Sequence, residues 1–559
     1  PIGPFAAVRI TRRFRNVEDA PIEAVLTMPV AFDAVVTGLS VIVGDRTLTA
    51  RAQAKDTARG IYEDAIDRGK LAILHEEVLR GLHMLSVANL DAGAEVMVTH
   101  EIAMPLTRLT GGALLRLPMT VGALYGTSPL SPVDDLVSSS AIVHEASLLL
   151  DSGRAELVGR GIFLRAGSAV DLPLDSAIEL RFDSVADGKV SGMDASGRAV
   201  SIDVQPAVES SGFLDLAILV DRSGSTGSPV GDALSVHQAM AQGLAATLIG
   251  VRGDDRFGMW QFDNDCQFLG AATGPESARL VSKLDGPRGG TELGTALRTL
   301  VDRGARDVLV MTDGQTWAYE VDELAALPAR VSAVLVGSAS LDANIGHLAT
   351  MTGGQVFHSP GANVGAVLEP ALQALRLTAG PAVGRVVADR PVELTAQRAG
   401  WVIKITWDDV AGIAIGPHAE VLGRYTAALA LPLLSTEAAS AWAVQHDLCT
   451  HATSLVLVDE ASSIAAEGAA GAIWPNLRKV PLQAPAVHSM TKGRATVRFS
   501  RAVSSPTGAT THSVVGFHED PAIFRKPVRR AGSSLRKRLD LLAARINWSV
   551  DVARFLVAD

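Results

Sequence analysis

The chain has 559 residues, 48% of them hydrophobic and 20% charged, with a formal net charge of −10. That length exceeds what one hydrophobic core organises and implies three or four domains. The best apolar run, 425–435, contains Pro432 and is too short to span a bilayer, and two cysteines, Cys266 and Cys449, exclude a disulfide framework and a cysteine-built zinc cluster.

From the N-terminus, apolar patterns at 22–29 and 34–45 predict strands bounded by turns. Residues 51–68 read as a helix, because Ala54, Ala58, Ile61, Tyr62, Ala65 and Ile66 recur at helical spacing and Gly69 follows as a stop. Strands are predicted again at 82–90 and 94–104, around the turn Asp91-Ala92-Gly93. The pieces E-A-V-L-T-M-P, V-T-G-L-S-V-I-V-G-D, A-R-G-I-Y-E-D-A-I-D-R-G-K-L-A-I-L and L-S-V-A-N-L-D-A-G-A-E-V-M-V resemble the vault-protein/inter-alpha-trypsin (VIT) domain. Ala88-Asn89 and Ala92-Gly93 stand where that family usually has Gly-Asn and Pro-Gly. The resemblance implies a β-rich VIT domain over residues 1–121.

Short strand patterns at 146–150, 161–165, 177–182 and 199–204 make 122–206 read as the first part of a β-sandwich. Buried-strand patterns at 214–220, 256–263, 307–312, 331–336 and 355–358 then alternate with helical ones, which predicts a doubly wound, Rossmann-like parallel sheet over 207–378. Strand-like stretches return at 383–388, 392–397, 401–407 and 411–415, followed by a helical patch at 436–447 and the piece T-S-L-V-L-V-D at 453–459. Strand-rich sequence on both sides implies that the α/β domain is inserted into one sandwich, whose second part and helical segment are 379–460. Residues 461–532 are rich in Ala, Gly and Pro and read as a linker.

In the last segment, 533–559, Leu535, Leu539, Leu542, Ile546, Val550, Ala553 and Val557 form one stripe and predict a C-terminal helix. The tail is basic: from Asn476 onward there are 15 Lys or Arg against 5 Asp or Glu. Arg525, Lys526, Arg529, Arg530, Arg536, Lys537, Arg538 and Arg545 lead into the helix or lie on it. An acidic body with a basic tail argues against nucleic-acid binding. The helix is expected to pack within the chain or self-associate, with an anionic membrane or an acidic partner as alternatives.

The apolar stretch 216–220 ends in D-x-S-x-S, with Asp221, Ser223 and Ser225 on a Gly/Ser turn. One carboxylate and two hydroxyls, with no imidazole or thiolate, suit Mg²⁺ or Mn²⁺. Ligands of open α/β sheets bind at such strand ends. Gly289-Gly290-Thr291 precedes a helical pattern, which makes the Thr291 hydroxyl a candidate N-cap, and a second buried strand, 308–312, ends in Asp313-Gly314. Asp221, Ser223, Ser225, Thr291 and Asp313 together resemble the von Willebrand factor A domain and its metal-ion-dependent adhesion site. That resemblance implies Mg²⁺ or Mn²⁺ bound through all five. With the VIT-like segment it makes the chain similar to the inter-alpha-trypsin inhibitor heavy chains.

Catalytic signatures are missing. There is no G-x-x-x-x-G-K-[ST] loop and no G-x-S-x-G elbow. His75-Glu76 and His144-Glu145 begin like zinc-protease motifs, but Leu79 and Leu148 occupy the second histidine's place. Cys449 and His451 have no orienting third group, and Asp520-Pro521 lacks the surroundings at which the heavy chains are cleaved. The expectation is a non-enzymatic binding protein whose metal is completed by a partner's Asp or Glu. The rivals are an accessory subunit of an AAA+ ATPase machine and a metal-assisted hydrolase. A cytoplasmic compartment is expected, with export the alternative if a further segment precedes Pro1.

Overall fold

In this computed structural model the residues described are 3–121, 125–126, 128–130, 134–141, 145–208, 212–231, 233–317, 319–337, 343–377, 382–408, 418–462, 475–484, 548–549 and 553–556. The N-terminal domain consists of two facing sheets. The first runs in the order Ser168–Pro173, Glu145–Leu150, Ala553–Leu556, Phe5–Arg15, Glu95–Pro105, Val35–Val43, Arg46–Thr49. The second runs Asn476–Lys479, Ile22–Pro29, Leu82–Leu90, Leu71–Leu79, Thr453–Asp459, Arg51–Ala54. Alternate residues of each strand point inward: Val8, Ile10, Phe14, Val96 and Val98 meet Ile22, Leu26, Ile73, Leu85 and Val87 in one core. The helix Lys55–Asp67 covers the outer face of the second sheet, with Ala58, Tyr62 and Ala65 against Ala72, Leu74 and Val456. That sheet is therefore buried on both sides, which is why Ile22–Pro29 reads as almost unbroken apolar sequence.

Several expectations change here. The helix begins at Lys55 rather than 51, because Arg51–Ala54 pairs with the returning strand Thr453–Asp459. Part of the expected linker, Asn476–Lys479, is a strand lying parallel to Ile22–Pro29. Within the expected C-terminal helix, Trp548–Ser549 and Ala553–Leu556 are strands on Phe5–Arg15. A stripe as broad as the one in this segment fits a strand as well as a helix, so periodicity could not separate them. The rest of 533–559, all eight residues of the basic cluster, Asp520-Pro521, His144 and the strand expected at 411–415 lie outside the described residues.

The expected sandwich is divided. Strands Thr107–Leu109, Gly112–Leu117, Arg154–Leu157, Ile162–Arg165 and Ile178–Phe182 form a separate five-stranded sheet. Its Leu115, Leu157 and Leu180 join the N-terminal core. Of the expected first part, only Gly188–Met193 and Ala199–Pro206 share a sheet with strands of 379–460. Ala199–Pro206 pairs along its whole length with Trp401–Asp408, in an antiparallel sheet completed by Arg390–Arg398 and Ala382–Val387. The α/β domain thus lies in sequence between strands of this sheet, and the layer covering the sheet is helical. Val200, Ile202 and Ile405 share a core with Leu422 and Tyr425 of the helix Ala419–Ala430 and Trp442 of Thr436–Gln445. The first helix crosses the sheet closely, since a Cβ on Gly423 would come within 1.8 Å of the Met193 carbonyl oxygen.

The α/β domain has a six-stranded sheet ordered Cys266–Thr273, Arg256–Phe262, Asp215–Asp221, Asp307–Thr312, Arg330–Leu335, Val356–His358, parallel except for the first. Helices Val236–Leu248 and Gly365–Leu375 pack on one face, and Leu293–Asp302 and Ala343–Thr352 on the other. The antiparallel edge strand Cys266–Thr273 escapes sequence reading because it is largely exposed and has no apolar run. Among the described residues no helix is long and apolar enough to cross a membrane.

Candidate metal centre

The central strand Asp215–Asp221 and its parallel neighbour Asp307–Thr312 run in register, Val220 beside Met311. Their onward connections pass to opposite sides of the sheet, so a crevice opens where they end. Asp221 closes the first strand and Asp313 follows the second; both are nearly inaccessible, at 0% and 2% exposure. One oxygen of Asp221 accepts the Ser223 N–H at 2.7 Å and the other accepts the Thr312 hydroxyl at 2.6 Å. Thr312 Oγ1 in turn accepts the Gly314 N–H at 3.0 Å. The Ser223 and Ser225 hydroxyls lie 3.1 Å apart. Asp313 accepts the Gln315 N–H at 3.2 Å through Oδ1, while its Oδ2 is buried without a hydrogen-bond partner.

The loop bearing Thr291 is bound to both strand ends. Gly224 N–H donates to Gly289 O at 3.1 Å and Arg288 N–H to Arg222 O at 2.6 Å. The Thr316 hydroxyl donates to Thr291 O at 3.2 Å. Thr291 is buried but is not the N-cap expected of it: the helix Leu293–Asp302 is preceded by Glu292 at that position, which makes no side-chain capping bond. The intervening residue moves the Thr291 hydroxyl off the helix axis.

The electrostatics of the site suit a bound cation. Burial and, after it, the nearby Asp313 push the Asp221 carboxyl up to about 7 against the hydrogen bonds from Thr312 and Ser223. Burial likewise raises the Asp313 carboxyl, opposed chiefly by the Ser225 hydroxyl. Two buried carboxylates, hydroxyl oxygens and an unpartnered carboxylate oxygen fit a hard, oxygen-seeking dication.

Groups that the motif did not reveal brace the crevice. Arg222, fully enclosed, reaches Asp285 at 2.7 Å and Asp263 at 3.1 Å, and Arg288 also holds Asp263 at 2.9 Å. Tyr125, from the connection to the N-terminal domain, donates its hydroxyl to Glu292 at 2.9 Å. Its backbone bonds to Gln315 and Trp317 at 3.0 and 2.6 Å. Thr312 was legible beside Asp313. The Arg222 partners and Tyr125 come from distant loops and leave no local signal.

Residues 2–102 match the family described as the Vault protein inter-alpha-trypsin domain. The chain is 34% identical over 129 residues to von Willebrand factor A domain-containing protein 5A of Mus musculus, a match covering 22% of this chain and 16% of that protein. With the Homo sapiens protein of the same name it shares 31% over 153 residues, 25% of this chain and 20% of that one. The matches therefore span a fifth or less of these relatives' lengths. Among solved structures, the von Willebrand factor type A protein from Catenulispora acidiphila aligns at 14% identity and a TM-score of 0.28, covering 41% of this chain and 67% of that one.

Proposed function

Because the chain combines a VIT domain with a von Willebrand factor A domain, we propose that it is a non-enzymatic binding module. In this reading Asp221, Ser223, Ser225, Thr291 and Asp313 hold Mg²⁺ or Mn²⁺, and a partner protein is gripped through an Asp or Glu carboxylate. The supporting observation is the buried Asp221–Asp313 pair beside the Ser223 and Ser225 hydroxyls, with Asp313 Oδ2 lacking any partner. A bound dication supplies electrostatic attraction for an anionic ligand atom. The chain supplies the preorganisation. Ser223 N–H and Thr312 fix the Asp221 carboxylate, Arg222 anchors the turn through Asp263 and Asp285, and Tyr125 joins the two loops of the rim. A hydrolytic role would need a base other than Asp221 and Asp313, which the metal takes.

The test is a pull-down from lysate with Mg²⁺ or with EDTA, read by mass spectrometry, alongside Asp221→Ala. Partners retained only with Mg²⁺ and lost with the variant are expected; an AAA+ ATPase among them would specify an adaptor role. Identical partners in all three conditions, or turnover of ester or phosphate substrates that needs Asp221, would overturn the reading.

A further inference from the structure

The interior of the N-terminal sandwich, which holds Phe14 among aliphatic side chains, turns polar at one end. There Arg12, His75, His83, His100 and Cys449 gather, none more than 5% exposed. We propose that His75, His83 and Cys449 bind one transition-metal ion, of the Zn²⁺ class, separate from the A-domain site. The first two are diagonal neighbours on one face of a hairpin: His75 pairs with Leu85, and His83 with Glu77. His75 Nε2 lies 2.9 Å from His83 Nδ1, and a ring nitrogen of each histidine and Cys449 Sγ all lie within 4.8 Å of one another. Ligand atoms of a tetrahedral Zn²⁺ site are roughly 3.4–3.6 Å apart, given Zn–N and Zn–S bonds of about 2.1 and 2.3 Å. An adjustment of at most about an ångström, within reach of side-chain torsions, brings the three to that spacing. Two imidazoles and a thiolate select a borderline or soft ion, not the Mg²⁺ class.

The surroundings also suit a metal. His75 Nδ1 meets His100 Nε2 at 3.0 Å, a contact that crosses from the second sheet to the first. A ligating imidazole characteristically has its far nitrogen held in this way. Hydrogen bonding alone is a poor reason for three imidazoles in an apolar core, since His100 Nδ1 is buried without a partner. Cys449 Sγ donates over a long 3.6 Å to the His75 carbonyl oxygen and also meets the Glu77 backbone. Two cysteines told against a cysteine-built cluster, but one thiolate suffices where histidines supply the other donors. Cys449 lies just before Thr453–Asp459, the strand in which Leu455 pairs with His75. The ion would therefore fasten the chain returning from the A domain to the hairpin that the strand completes.

The test uses the full chain carrying Cys266→Ser, so that Cys449 is the remaining thiol. Expressed with zinc present and purified in Mg²⁺ buffer, it is expected to retain ~1 zinc per chain by elemental analysis. Replacement by Co²⁺ should give a sulfur-to-cobalt charge-transfer band that disappears on adding Cys449→Ser and persists on adding Asp221→Ala. His100→Asn should weaken zinc affinity about 10- to 100-fold. A protein folded by circular dichroism that holds no zinc and shows no sulfur band with Co²⁺ would overturn the proposal. That result needs no variant at Cys449 and does not depend on the A-domain site.

Discussion

Replacing Asp221 by Asn should stabilise the metal-free protein, the reverse of the usual effect of altering a buried polar residue. The Asp221 carboxyl is raised from 3.8 to about 7 in the folded chain by burial and by Asp313. A carboxyl that binds its proton more tightly when folded contributes full stability below its unfolded pKa and loses it as pH rises through the folded one. A shift of roughly three units corresponds to about 4 kcal/mol lost between pH 4 and pH 8. Asn keeps the shape and still accepts the Ser223 N–H. Its amide, however, must donate to Thr312 Oγ1, which already accepts from Gly314, at a cost of about 1 kcal/mol. The net expectation in EDTA at pH 8.5 is a gain of about 3 kcal/mol, or roughly 6–12 °C in Tm for a domain of this size. The gain should shrink to almost nothing near pH 5. Excess Mg²⁺ should reverse the order, because only the native site gains binding free energy. Calorimetric melts of both proteins, at both pH values and with EDTA or Mg²⁺, measure this. A native Tm in EDTA that is flat from pH 5 to 8.5, or an Asn variant less stable than the native chain at pH 8.5, would refute the reasoning.

Three further outcomes are expected. Gly423→Ala places a Cβ 1.8 Å from the Met193 carbonyl oxygen and should lower the urea midpoint by about 3 kcal/mol equivalent or prevent folding, whereas Gly253→Ala, with nothing within 4 Å, should not. Arg376→Met strands the buried Asp255 carboxylate, now held at 2.5 and 2.6 Å, and should cost about 3–5 kcal/mol at neutral pH. Arg376 helps hold the Asp255 carboxyl below its ordinary range, so removing it raises that pKa and the deficit should narrow as the medium is acidified. Tyr125→Phe loses a half-exposed hydrogen bond to Glu292 and should cost less than about 1 kcal/mol, yet speed protease cleavage near residue 125; Gly290→Ala, whose Cβ would stand 2.8 Å from the same hydroxyl, should speed it more.

What could be read from sequence was local. Asp221, Ser223, Ser225 and Asp313 follow strands buried on both faces, whose apolar runs are unmistakable, so their place at the strand ends was legible. Thr291 was legible as a residue but not in its backbone role, because one added residue shifts a helix cap without changing the apolar pattern. Arg222 was invisible as an anchor: its partners Asp263 and Asp285 arrive from loops 41 and 63 positions away. The change of pattern on either side of the α/β domain was readable. Whether sheet or helices covered the surrounding strands was not, since Val200, Ile202 and Ile405 need only an apolar surface. The strand at Asn476–Lys479 was missed because four residues carry too little periodicity to stand out from a linker.

The second sheet of the N-terminal domain takes Thr453–Asp459 between Leu71–Leu79 and Arg51–Ala54, and Asp459 is hydrogen-bonded to Arg46, 413 positions earlier. On a ribosome that separation is a delay. At about 5–20 residues per second, the closing strand emerges roughly 20–80 s after its neighbour. The intervening α/β domain has all its strands well before then and can fold first. Meanwhile Leu71–Leu79, seven of whose nine residues end up buried, presents an open, sticky edge to the cell. A chain stalled or cut before residue 453 would keep that edge permanently. Aggregation of such fragments, with the α/β domain inside them still native, is the failure this topology invites.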